Sequence, residues 1–205
     1  MKTVALLAQK GGTGKTTLAL HLAVEADRGA RAPVVVVDLD PQKSAARWYR
    51  KREADRPILV DPGQRGLGDV LDICRDDGVG LVLIDTAPHA LANATAAASV
   101  ADLVVIPTRA GILDIEAIDQ TVDIVRRVDA PAVIVLNAVR PRGPLTGEAR
   151  QALKVYGLPV CPTAIVHRAA LADALIDGRG VQELDPRGKA AAEIAAVWKW
   201  IKGRM

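Results

Sequence analysis

The sequence predicts an α/β fold: one domain over residues 1–205, with a mostly parallel, twisted sheet and helices on both faces. Three observations point there. Short apolar runs rich in Val and Ile recur without polar alternation, as strands buried on both faces require. Helix-like stretches separate them, and alternating strands and helices make βαβ units. The chain has 205 residues, 50% of them hydrophobic, enough for one substantial core but not for two.

The predicted strands cover residues 4–8, 34–37, 58–60, 81–84, 103–106 and 132–136. Helices are expected over 16–27, where Leu18, Leu22 and Ala26 keep helical spacing, and over 115–128, where Ile115, Ile118, Val122 and Val125 do the same. Later helices are expected over 146–156, 169–177 and 188–202. Pro33, Pro57, Pro131 and Pro159 each precede or open a short strand and so mark loop ends. Phenylalanine is absent and aromatics make up only 2% of the chain, so Ala, Val, Leu and Ile must build the core.

Cys74 and Cys161 are far apart and in no metal-ligand spacing, so they read as buried hydrophobes rather than a disulfide or zinc site. The apolar run at residues 4–8 is too short for a signal peptide or a membrane span, and a cytoplasmic protein is expected. Net charge is +3, unevenly spread. Residues 140–205 hold 11 Lys and Arg against 6 Asp and Glu, whereas residues 1–139 hold 16 against 18. The last third, with Arg140, Arg142, Arg150, Lys154, Arg168, Arg179, Arg187 and Lys189, is therefore one candidate for polyanion contact. A second basic segment, Lys43 to Arg56 with Trp48 and Tyr49 among its cations, reads as a solvated helix with one buried face.

Gly14, Lys15 and Thr16 close the P-loop pattern G-x-x-x-x-G-K-[ST] between a buried strand and a helix. Gly11, Gly12, Thr13 and Gly14 let backbone N–H groups curl around phosphate oxygens, and the helix N-terminus adds a favourable dipole. Lys15 is expected on the β and γ phosphates, and the Thr16 hydroxyl on Mg²⁺, with Thr17 completing the loop. The first glycine of the pattern is replaced by Gln9, and a second lysine, Lys10, follows.

That string, Lys10 to Thr17, resembles the deviant Walker A motif of the ParA/MinD family of ATPases. The resemblance implies ATP/ADP and Mg²⁺ as ligands, and a homodimer closed by ATP. In it, Lys10 crosses to the partner's phosphates, which gives it a catalytic role beside Lys15. Asp38-Leu39-Asp40-Pro41-Gln42 is similar to the family's D-x-D-P-Q element. Two acids ending a buried strand, with alternate residues pointing the same way, can both face a ligand at the sheet's carboxyl edge. The resemblance assigns Asp40 to orienting the attacking water and Asp38 to the metal shell. Residues 81–85 look like a Walker B strand whose terminal acid, Asp85, holds Mg²⁺. Thr86-Ala87-Pro88 follows where the family often has D-T-P-P, and Ala87 departs from it. His89 reads as incidental.

Val105 to Thr108 with Leu113-Asp114 looks like a segment of the family's dimer interface, and Asn137 sits where relatives use an Asn on adenine. Arg168-Ala169-Ala170 and Gly178 to Glu183 resemble the C-terminal region of the compact plasmid-partition ATPases, which lack an N-terminal helix-turn-helix. That likeness implies non-specific DNA binding by the ATP dimer, a nucleoid-associated ATP state and a centromere-binding ParB-type partner that stimulates hydrolysis. A MinD-like membrane ATPase is the alternative. It would use a basic amphipathic stretch at 190–202, although Ile194, Val197, Trp198 and Ile201 at helical spacing also suit packing on the domain's own core. A metabolic enzyme of similar fold fits less well, since Lys10 with D-x-D-P-Q is not expected of a synthetase and no cysteine pair serves a cluster carrier.

Overall fold

The computed structural model describes all 205 residues. The strands are β1 (Lys2–Leu6), β2 (Val34–Asp38), β3 (Ile58–Val60), β4 (Leu81–Asp85), β5 (Leu103–Thr108) and β6 (Ala132–Leu136). They form one sheet in the order β3-β2-β4-β1-β5-β6. Every pairing is parallel, so the sheet is wholly rather than mostly parallel. The reason is that each pair of consecutive strands is joined by a helical crossover and none by a hairpin.

The helices are α1 (Lys15–Asp27), α2 (Ser44–Tyr49), α3 (Leu67–Asp76), α4 (Leu91–Val100), α5 (Ile112–Glu116), α6 (Asp119–Arg127), α7 (Leu145–Ala152), α8 (Ala169–Ile176), α9 (Val181–Leu184) and α10 (Lys189–Lys202). A 3₁₀ turn, Leu153–Tyr156, follows α7. Strand side chains alternate between the two faces. Val4, Leu6, Val34 and Val36 join a core with residues of α1, α2, α8, α9 and α10. Ala5, Val35 and Val37 join another with residues of α3 to α7.

Of the apolar stripe of α10, Ile194, Val197 and Ile201 are buried in the first core and Trp198 packs against it half-buried, so the stripe serves the domain's own core. No helix is long and apolar enough to cross a membrane. Both cysteines are free and buried.

Two connections place the site. After β1 the chain runs through α1 on one face, and after β4 it runs through α4 on the other. β1 and β4 are neighbours. The crevice at their carboxyl ends is therefore the topological switch point, where open α/β sheets bind ligands.

Candidate functional site

The loop after β1 enters that crevice. Gly12 and Gly14 hold φ of +74° and +85°, a region closed to most side chains. A Cβ on Gly14 would also collide with the amide of Asn137. That amide donates to the Thr13 carbonyl at 2.8 Å, so Asn137, expected on adenine, braces the loop here. The Gln9 N–H donates to Thr121 Oγ1 at 3.1 Å, and the Gln9 carbonyl accepts the His89 N–H at 3.3 Å. His89, read as incidental in the sequence, has φ of +57°. Through it the segment after β4 grips the start of the loop.

Lys15 opens α1 and is buried, with Nζ donating to the Ala8 carbonyl at 2.9 Å. Burial pushes its pKa below the ordinary lysine value, against the pull of Asp85 and Asp40. An ammonium at the loop's own neck is placed to exchange that carbonyl for a phosphate oxygen. Thr16 and Thr17 are half-buried in the first turn of α1.

Asp38 and Asp85 are direct register partners at the ends of β2 and β4, and both are fully buried. Their surroundings differ. Asp38 Oδ1 accepts the Asp40 N–H at 3.0 Å and Oδ2 accepts the Ala46 N–H at 3.3 Å. Expected in the metal shell, Asp38 has both oxygens engaged by backbone, and it anchors the loop that carries Asp40. Asp40 is half-buried, and its Oδ1 accepts the Gln42 N–H at 2.9 Å.

Asp85 has neither carboxylate oxygen partnered. Burial pushes its carboxyl up to about 7. A buried carboxylate without partners is costly, and the group that relieves it is a cation or a donor brought in by a ligand. The Thr13 hydroxyl beside the loop is also unpartnered. No cluster of three or more His, Cys, Asp or Glu exists that would hold a metal by itself. A magnesium shell of one protein hydroxyl, one carboxylate, phosphate oxygens and water needs no such cluster. The residues present therefore fit Mg²⁺ delivered with a nucleotide.

Lys10 lies at the rim, its Nζ 2.5 Å from Asp114 Oδ1 and 3.2 Å from the Leu113 carbonyl. Two large apolar side chains flank this pair in the open, Ile112 at 63% exposure and Leu113 at 70%. The structure thus brings together Lys10, Gly11, Gly12, Thr13, Gly14, Lys15, Thr16, Thr17, Asp38, Asp40, Asp85 and Asn137 at one sheet edge. Sequence reasoning missed Arg109, whose guanidinium lies nearest to where a Cβ on Gly12 would stand, 3.9 Å away. Its signal was a cation one residue beyond a strand that ends at that edge.

Residues 4–181 match the CobQ/CobB/MinD/ParA nucleotide binding domain family. The chain is 36% identical over 208 residues to a maintenance of carboxysome distribution protein A from Gloeobacter kilaueensis, covering 97% of this chain and 91% of that one. It is 30% identical over 205 residues to the protein of the same name from Halothiobacillus neapolitanus, covering 93% and 91%. Among solved structures it resembles a putative plasmid partition protein from Borrelia burgdorferi bound to AMPPNP, with a TM-score of 0.76, 16% identity and coverage of 100% and 99%. The chain belongs to the CobQ/CobB/MinD/ParA nucleotide-binding family.

Proposed function

We propose that this member of the family is an ATP-driven positioning ATPase of the partition type. ATP with Mg²⁺ closes two copies face to face, the dimer holds DNA without sequence preference, and hydrolysis stimulated by a partner resets it. One observation carries the reading. Lys10, the residue whose resemblance implies a reach across a dimer, sits at the mouth of the phosphate loop beside exposed Ile112 and Leu113. An apolar patch of that kind marks a contact surface, and a two-fold axis brings each copy's patch against the other's.

The residues divide the work. Loop N–H groups and the α1 terminus cradle the phosphates, while Lys15 neutralises charge on the β and γ groups. Thr16 and Asp85 would hold Mg²⁺, which would add charge neutralisation at the phosphates. Asp40, fixed by the Asp38 anchor, orients the attacking water. Lys10 of the second copy exchanges its resting partner Asp114 for the transferring phosphoryl, so hydrolysis requires the dimer.

The cargo has two readings. Likeness to compact partition ATPases favours a replicon carried through a centromere-binding ParB-type partner. The two relatives named for carboxysome distribution favour a protein-bounded particle. The burial of Ile194, Val197 and Ile201 in α10 weighs against a MinD-like membrane role.

Size-exclusion chromatography with ATP and Mg²⁺ tests the core of the reading. Lys15→Ala fails to bind nucleotide productively. Lys10→Ala binds nucleotide and stays monomeric, and Asp40→Ala accumulates as an ATP dimer. A Lys10→Ala protein that dimerises normally on ATP sinks the proposal.

A further inference from the structure

The cations that follow Asp40 fall into two sets. Lys43, Arg52 and Arg56 each have a carboxylate partner: Asp61 at 2.7 Å, Glu183 at 2.8 Å and Asp27 at 2.5 Å. Arg47, Arg50 and Lys51 have none. Arg47 reaches only the Gln42 carbonyl at 2.6 Å and the Ser44 hydroxyl at 2.9 Å. Arg50 uses only Nε, on the Ala46 carbonyl at 3.4 Å. All three are exposed, and their i, i+3, i+4 spacing along α2 and the turn that ends it puts them on one face. They line a groove of about 510 Å³ that also carries the hydroxyls of Thr17 and Ser44 and no Asp or Glu. Like charges gathered this way repel one another, and an anion relieves the repulsion.

We infer that this groove grips the phosphate backbone of DNA, making α2 rather than the basic last third the principal polyanion surface. The inference rests on the DNA reading proposed above. Arg, Lys, Ser and Thr side chains without base-reading partners are the donor set of phosphate contacts. Among the groove's large apolar side chains Leu20 and Trp48 are buried and Leu175 is half-buried, so none stands fully exposed for insertion into a bilayer. Arg150 is engaged by the carbonyls of Cys161 and Pro162, Arg168 by Glu193 and Arg179 by Asp177.

Position also couples the groove to the nucleotide. Thr16, the expected magnesium ligand, lines it. The Asp38 carboxylate that holds the Asp40 N–H also holds the Ala46 N–H in the first turn of α2. Any shift of the Asp40 loop toward a γ-phosphate therefore pulls on the helix that carries Arg47, Arg50 and Lys51.

Fluorescence anisotropy with two unrelated DNA duplexes, in ATP and Mg²⁺ over a salt series, tests this. The Arg47→Ala/Arg50→Ala/Lys51→Ala chain should lose about tenfold or more in affinity. Its log–log salt slope should flatten by about 0.9 for each phosphate contact removed. For the Arg50→Ala/Lys51→Ala chain, which leaves the Asp40 loop untouched, nucleotide affinity and ATP-driven dimerisation should stay as in the wild type. Arg140→Ala/Arg142→Ala/Lys154→Ala should bind nearly normally. Arg47 touches the Asp40 loop, so Arg50→Glu and Lys51→Glu, which do not, should each weaken binding on their own. A groove variant with wild-type affinity and slope overturns the assignment while leaving the DNA reading standing. A wild-type dimer that ignores both duplexes defeats the DNA reading itself, and capture of anionic vesicles through the same three residues would replace it with a lipid surface.

Discussion

Asp85 at the end of β4 and Arg52 just beyond α2 both carry buried charge, and the fold answers them in opposite ways. The Arg52 side chain is 4% exposed. Its guanidinium makes a two-pronged contact with Glu183, at 2.9 and 2.8 Å, and donates to the Gly178 and Arg56 carbonyls. It also stacks 5.1 Å from the Trp48 ring centroid. Asp85 has no ion pair and no backbone donor, and only the Thr16 side chain and the Lys15 charge favour its ionised form. A charge whose partners all come from the chain belongs to the scaffold. A charge left without an ion pair or backbone donor belongs to a ligand that the chain awaits. His21 in α1 falls with Arg52. Its Nδ1 accepts the Val181 N–H at 3.1 Å, so Nε2 carries the proton given to the Leu171 carbonyl at 3.0 Å.

The widest break in that comparison comes from Arg52→Ala. The substitution leaves Glu183 without its partner and unseats the loop at Gly178, where any Cβ would collide with the backbone of Lys51 and Arg52. Removing one member of a fully buried pair costs about 3–5 kcal/mol; Glu183 is 30% exposed and keeps the Gly180 N–H, so urea unfolding should show a loss at the low end, about 3 kcal/mol. Protein that remains folded should still bind ATP, because no Arg52 contact reaches the phosphate loop. A loss under about 1 kcal/mol would place Arg52 with ordinary surface ion pairs.

His21 gives the next effect, visible only through pH. Burial holds its pKa at about 4, below the ordinary histidine value of 6.5. The unfolded chain therefore binds the extra proton first. Stability is complete above about pH 6.5 and drains away as pH falls toward 4. The gap amounts to about 3 kcal/mol at the low end. His21→Gln keeps a donor and an acceptor but does not titrate. Between pH 7.5 and pH 4 the wild type should lose about 3 kcal/mol more than this variant in urea unfolding. Equal losses would mean that His21 is not held neutral by the fold.

These partnerships also show what was legible beforehand. All six strands were, because β-branched runs without polar alternation leave no other reading in an α/β chain. The long helix expected over 115–128 is instead α5 and α6, joined by a tightened turn in which the Ile118 N–H bonds the Ile115 carbonyl. Its apolar positions Ile115, Ile118, Val122 and Val125 stay buried across the break, so periodicity alone could not reveal it. α4 escaped notice because Ala94, Ala97 and Ala98 pack it with no large apolar residue to mark a face. At the site, the placement of Lys15, Asp40 and Asp85 at the carboxyl edge of the sheet was legible because strand-end and loop spacing is local. Pairs such as Lys10 with Asp114, or Arg52 with Glu183, join residues more than a hundred positions apart, and no local pattern carries them. Arg52 was read as part of a solvated helix for that reason.

Asp85→Asn gives the smallest effect on stability, and its sign separates the two kinds of buried charge. An amide keeps the carboxyl's shape and removes the charge. If Asp85 were scaffold, the change would cost stability, as Arg52→Ala does. Here the attraction between Asp85 and the Lys15 ammonium is lost, but burial outweighs it at Asp85, and the larger penalty for a buried carboxylate falls away. The ligand-free chain should therefore become more stable, by about 1–3 kcal/mol near pH 8. The same variant should lose most of the extra stabilisation that Mg²⁺ adds to bound ATP, because the group that awaited the cation is gone. Thermal unfolding without ligand, with ATP and EDTA, and with ATP and Mg²⁺ reads both effects in one series. A ligand-free variant less stable than wild type would move Asp85 into the scaffold beside Arg52.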